Sequence, residues 1–139
     1  MKIHVVLEKD EDGYFVAEVP GMPGCLSQGR TLEEAAANIK EAAIAWKEVM
    51  ASKDQSSDGE KVEVTVREEP LKLVSGKEAV RKFKRAGWKL SPQIGPHMKM
   101  TNPAYQWALA IPDHRQLGPG LLRKLLREAN MTVSEFNSL

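Results

Sequence analysis

Three side chains in the second half of the sequence have the chemistry to move a proton or to hold an anion: His97, Lys99 and His114. In the run His97-Met98-Lys99-Met100-Thr101, strand alternation puts His97, Lys99 and Thr101 on one face and the two methionines on the other. An imidazole, with an unperturbed pKa of about 6.5, exchanges protons near neutrality. An ammonium two residues on could hold a charged group beside it. Taken alone, a strand histidine is more commonly a surface or packing residue. His114 follows Pro112 at a strand end, where it either contacts a substrate or finishes a turn. Upstream, Lys77, Arg81, Lys84 and Arg85 fall at i, i+4, i+7 and i+8 and form a cationic stripe on one helix face. A solvated face accounts for such a stripe as well as phosphate contact does. The two histidines, 17 residues apart, lack the spacing of a metal site. No metal or other cofactor is expected.

The remaining candidates carry less. Asp10, Glu11 and Asp12 precede Gly13, and consecutive carboxylates beside Asp-Gly solvate a hairpin tip more often than they bind a metal. His4 lies opposite Ile3, Val5 and Leu7 and reads as a surface strand residue. Cys25, the single cysteine, has no disulfide partner in the chain and reads as a small buried hydrophobe.

The elements that must position these residues divide at a change of charge. Residues 1–70 hold 8 Lys and Arg against 15 Asp and Glu, a net of −7; residues 71–139 hold 12 against 4, a net of +8. An acidic and a basic half attract each other, or the basic half serves a polyanion. Each half is near the lower size limit for a core of its own, so contact between them adds stability. Alternation over residues 2–8 and 14–19 around Asp12-Gly13 predicts a hairpin, and residues 25–29 a third strand. Thr31-Leu32-Glu33-Glu34 is a capping box, opening a helix with Leu32, Ala36, Ile39, Ala43, Trp46 and Met50 in one apolar stripe. A polar loop over 51–61 and a fourth strand on Val62, Val64 and Val66 complete a βββαβ order.

In the basic half, Ser75-Gly76-Lys77-Glu78 caps a helix that buries Ala79, Val80, Phe83 and Ala86 and stops at Gly87. Short strands at 88–90, 97–101 and 107–111 follow. Gly118-Pro119-Gly120 then introduces a helix with Leu122, Leu125, Leu126 and Ala129 inside and Arg123, Lys124 and Arg127 outside. A third box, Thr132-Val133-Ser134-Glu135, starts a last turn holding Phe136. The order is αβββα with a helical tail. The chain is thus expected to be α+β, two small domains at 1–70 and 71–139. The N-terminus lacks signal-peptide features, and no apolar run approaches a membrane span, so the expected setting is the cytoplasm, away from membranes.

Two resemblances follow from these pieces. Val19-Pro20-Gly21-Met22-Pro23-Gly24-Cys25, then Gln28-Gly29, then Thr31-Leu32-Glu33-Glu34-Ala35 resemble the N-terminal domain of HicB antitoxins over roughly residues 1–68. That implies a partial ribonuclease-H-like fold without catalysis. HicB proteins usually carry a DNA-binding module next; the basic half takes its place here, which argues against operator binding. Ser-Gly-Lys-Glu (75–78), Ala-Gly-Trp (86–88), Gly-Pro-His (95–97), Pro-Asp-His (112–114) and the helix at 122–129 resemble the HicA toxin. That implies a double-stranded-RNA-binding-domain-like fold and ribosome-independent cleavage of mRNA. The family's Gly-Ser-His histidine maps onto His97. Pro96 stands where the family has Ser, and Leu121 where a Thr follows Gly120.

The residues suit that chemistry. Metal-independent cleavage needs a base that is neutral near pH 7 and cations for the charge that develops on phosphorus. His97 would be the catalytic base, with Lys99, His114, Arg123 and the stripe Lys77, Arg81, Lys84 and Arg85 on the RNA. The leading expectation is an endoribonuclease held inactive by the acidic half, within one chain or reciprocally in a homodimer. The connection at 67–74 spans at most about 28 Å, which keeps the halves at high effective concentration. The alternatives are an RNA-binding module that has lost its nuclease activity and a purely structural pair of half-domains.

Overall fold

The computed structural model describes residues 3–51, 70–92 and 95–139. The first turn is built by Asp10, whose carbonyl accepts from Gly13 N at 3.1 Å and whose Oδ1 accepts from Asp12 N and Tyr14 N at 2.9 Å. It joins β1 (Val6–Lys9) to β2 (Phe15–Glu18), and β2 pairs antiparallel with β3 (Leu26–Gly29). β1 is shorter than expected: Ile3, His4 and Val5 precede it and are exposed.

Thr31 Oγ1 accepts from Glu34 N at 3.1 Å and starts α1 (Leu32–Ala51) as the capping box predicts. The buried stripe is rotated from the expected one. Ala35, Ile39, Ala42, Ala43 and Val49 are buried, while Ala36 is exposed and Leu32 is 48% exposed. Alanines lie on nearly every side of this helix, so apolar spacing alone does not fix its rotation. The start of the helix lies close against β3: a Cβ on Gly29 would meet Ala35 N at 2.4 Å, so no side chain fits at position 29 of the strand. The fourth strand on Val62, Val64 and Val66, and the loop before it, lie outside the described residues.

In the second half, α2 (Gly76–Arg85) opens with the expected Ser75 cap, whose Oγ accepts from Glu78 N at 3.1 Å; the Glu78 carboxylate answers through the Ser75 hydroxyl, which donates to Oε1 at 3.2 Å. Gly87, at φ +103°, ends it; Ala86, expected inside, is an exposed cap residue. β4 (Lys89–Leu90), β5 (His97–Thr101) and β6 (Leu109–Pro112) form an antiparallel sheet in chain order. α3 (Pro119–Glu128) and α4 (Val133–Ser138), capped by Thr132, complete the α+β chain.

The core does not stop at the charge boundary. Val16 and Leu26 pack in one cluster with Phe83, Trp88, Leu109, Ile111 and Leu122 of the second half. Ala110, conversely, packs with Ala17, Cys25, Ile39 and Ala42 of the first. β6 is therefore buried on both faces, with Leu109 and Ile111 on one and Ala110 on the other; Ala108, just before the strand, is buried too. The alanines leave room for the first half's backbone: Ala110 N donates to Gly24 O at 3.0 Å. Gly24 has φ +89°, and a Cβ there would sit 2.0 Å from Ala108 O. Trp46 Nε1 closes the seam, donating at 2.9 Å to both Pro23 O and Ala108 O. With each fully buried aliphatic or aromatic side chain worth about 1.5–3 kcal/mol, apolar burial contributes to the contact alongside charge.

Candidate active site

β5 is held to β6 in a register that sets His97 opposite Pro112, and Asp113 N donates to Pro96 O at 3.0 Å. Pro96, the departure from the family motif, thus contributes its carbonyl to fixing the histidine. β3 and α1 cover the exposed-looking face of this sheet, with α1 packed on both β5 and β6. His97 is left 2% exposed and Lys99 3%. The partner of His97 comes from the first half: Ser27 Oγ on β3 lies 2.8 Å from His97 Nε2. Among the described residues, His97 Nδ1 has no hydrogen-bond partner. Burial above all, then the charges of His114 and Lys99, push the His97 pKa down to about 4, so the imidazole is neutral at pH 7.

His114 sits at the edge of the same seam. Its carbonyl accepts from Gly76 N at 2.9 Å, tying the start of α2 to the end of β6. Its Nδ1 lies 3.4 Å from Gln28 Nε2. Burial lowers its pKa against the opposing pull of Glu34 and Asp113. A cleft of about 310 Å³ opens here, lined by Tyr14, Gln28, Arg30, Glu34, His114 and Arg115.

Of the residues singled out in the sequence, His97 and Lys99 are buried in β5, and the charges of His114 and Lys99 act on His97. Lys77, Arg81, Lys84 and Arg85 lie exposed on α2. Arg123 is engaged instead of open, its Nη1 and Nη2 each donating at 2.7 Å to the two carboxylate oxygens of Glu11. The sequence reading gave no site role to two residues, Ser27 and Gln28. Both are almost wholly buried in β3, where polar residues need partners. Gln28 Nε2 donates to Gln116 O at 3.0 Å, and its Oε1 accepts from Gly118 N at 2.7 Å. Their signal in the sequence is a two-residue polar pair in a strand bounded by glycine; it names no partner. Leu121 is buried in the core, and the start of α3 is satisfied from across the seam by Gln28 and by Asp10 Oδ2, which accepts from Gly120 N at 3.2 Å.

Among the described residues, no group of three or more His, Cys, Asp or Glu could hold a metal ion, and no helix is long and apolar enough to cross a membrane. The site thus has a neutral imidazole, a lysine on the same strand face and a second histidine at the rim, all roofed by a different half of the chain.

In this two-part architecture, elements of the first half close over a histidine of the second. Residues 3–72 match the family described as HicB_like antitoxin of bacterial toxin-antitoxin system, and residues 76–131 match HicA toxin of bacterial toxin-antitoxin. The chain belongs to the HicB-like antitoxin family and continues into a HicA toxin unit. Among curated proteins it is similar to a UPF0150 protein of Archaeoglobus fulgidus, 46% identical over 66 residues, which cover 48% of this chain and 91% of that protein. UPF0150 protein Ta0767 of Thermoplasma acidophilum is 56% identical over 46 residues, 33% of this chain and 67% of its own length. A Helicobacter pylori UPF0150 protein is 62% identical over 42 residues, 30% of this chain and 57% of its own. No solved structure matches the chain.

Proposed function

We propose that this chain is a self-inhibited endoribonuclease, with residues 71–139 as an mRNA-cleaving toxin unit and residues 1–70 as its inhibitor. The observation that carries this reading is the Ser27 hydroxyl on the His97 imidazole in a seam closed to solvent. In the open state, His97 accepts the proton of a ribose 2′-hydroxyl as that oxygen attacks the adjacent phosphorus. The bond to the 5′-oxygen breaks, and that oxygen leaves with a proton from water. The product is a 2′,3′-cyclic phosphate. Lys99 offsets the charge building on the phosphoryl oxygens, worth a few kcal/mol in a dry site, while His114 and the α2 stripe contact flanking RNA. The contacts are made within one chain, so a monomer suffices for inhibition. The reaction belongs to the cytoplasm, where mRNA is found.

The test is growth arrest in bacteria and RNA cleavage in vitro. Residues 71–139 are expected to arrest growth, residues 1–70 in trans to relieve the arrest, and the full chain to be harmless. His97→Ala should remove the arrest. Because the halves share a core, the full-length Gly24→Val variant serves as a second probe: its added bulk against Ala108 O opens the seam without truncation. If neither form yields His97-dependent cleavage, the catalytic assignment fails. The second reading, RNA binding without cleavage, is favoured by the exposure of Lys77, Arg81, Lys84 and Arg85 in the closed chain. It predicts salt-sensitive binding that His97→Ala leaves intact, with no cut product from any variant.

A further inference from the structure

Three carboxylates of the β1–β2 hairpin, Asp10, Glu11 and Glu18, hydrogen-bond along α3, and a fourth, Glu8, stands 3.9 Å from Lys124. Asp10 Oδ2 reaches the amide of Gly120 at the start of the helix. Glu11 takes Arg123 with both oxygens, at 2.7 Å each. Glu18 Oε2 accepts from Lys124 at 3.3 Å and from Arg127. α3 supplies no side-chain cap of its own, since its N-cap is Gly118 and Pro119 follows. The glycines also let an anion come close: a Cβ on Gly118 would stand 2.8 Å from Asp10 Oδ2, and one on Gly120 2.9 Å from Asp10 Cβ. The outermost pair is open: Glu11 and Arg123 are both more than half exposed, and exposed ion pairs add at most about 1 kcal/mol, whereas Glu18 and Lys124 are mostly buried.

We infer that the outer face of α3, from the Gly118 and Gly120 amides to Arg123, Lys124 and Arg127, is a binding surface for RNA backbone phosphates, occupied in the closed chain by Asp10, Glu11 and Glu18. The inference rests on the RNA-directed reading above and adds to it a second surface, apart from the α2 stripe. Gly120 to Arg127 covers about 10 Å of helix, room for roughly two or three phosphates of one strand. Guanidinium groups grip phosphate in the same two-pronged way that Arg123 grips Glu11, and helix-start amides accept either anion. The acidic hairpin therefore does more than attract the basic half. It competes with RNA for the same donors, so inhibition extends beyond covering His97.

The test uses the full chain carrying Asp10→Asn, Glu11→Gln and Glu18→Gln, which keep size and the hairpin's acceptors. Binding of a fluorescein-labelled 12-nucleotide single-stranded RNA is followed by anisotropy at 50 and 200 mM salt. The expected result is an affinity at least about tenfold above wild type, with the log–log salt slope steeper by about 0.7 for each phosphate gained. Adding Arg123→Ala and Arg127→Ala should abolish the gain, whereas Arg81→Ala, Lys84→Ala and Arg85→Ala should leave it. A control with Glu33→Gln, Glu41→Gln and Glu48→Gln changes net charge equally on exposed positions of α1 and should give little gain. If circular dichroism shows the triple variant unfolded, the pair Glu11→Gln and Glu18→Gln takes its place. A gain equalled by the control, or kept without Arg123 and Arg127, overturns the inference. So does RNA binding through α2 that the hairpin variants leave unchanged, an outcome that spares the RNA reading. No RNA binding by any variant overturns both.

Discussion

His97 gives the closed chain a pH dependence whose sign is fixed by its environment. Its folded pKa is about 4 against about 6.5 when unfolded, so the unfolded chain binds the extra proton first as pH falls. The stability this represents is fully present above pH 6.5 and is lost on descending to pH 4, amounting to about 3 kcal/mol. Glu11 and Glu18, whose pKa values are lowered, act in the same direction but at lower pH, as acid titrates carboxylates below their usual 4.5. Melting temperature should therefore fall between pH 6.5 and 4.5 in the wild type and fall less in His97→Gln, where His114, its pKa also lowered by burial, keeps a smaller share. A parallel fall in the variant would show that another group carries the effect. Ser27→Ala removes the hydroxyl that faces His97 Nε2 and should cost about 1–3 kcal/mol in denaturant unfolding, the range for a buried polar atom left unpaired.

Among the elements, the loop before β3 and the back of β6 are the most sensitive pairing. Gly24→Val combines a β-branched residue at positive φ with a clash against Ala108 O, and should cost about 2–5 kcal/mol. Neighbouring Cys25 reports the damage. Burial pushes its thiol up to about 12 and hides it, so Ellman's reagent should label the native chain slowly and the Gly24→Val chain much faster. Equal rates would mean that the seam stays shut. The same loop shows where sequence reading succeeds and where it stops. The capping boxes at Thr31, Ser75 and Thr132, the stop at Gly87 and the shared face of His97 and Lys99 are local patterns, legible because each is decided within a few residues. The roles of Ser27, Gln28 and Ala110 depend on partners 70 to 90 residues away. No periodicity records such a partner. Ala108 and Ala110 read as merely small until Gly24 is seen against them.

At the scale of the molecule, a core shared by Val16, Leu26, Leu109 and Ile111 predicts that the halves unfold together. Far-ultraviolet circular dichroism and tryptophan fluorescence should trace one coincident denaturant transition; two separated transitions would show that each half is stable alone. The distance along the chain between Ser27 and His97 has a consequence of another kind, in time and in number. At about 5–20 residues per second of synthesis, Ser27 leaves the ribosome several seconds ahead of His97. Under the proposed function, no toxin unit is ever born before its inhibitor. The two are made one to one and share a single lifetime, so selective decay of a separate inhibitor cannot release this toxin. Its release requires a cut followed by dissociation, or a loss of the fold itself.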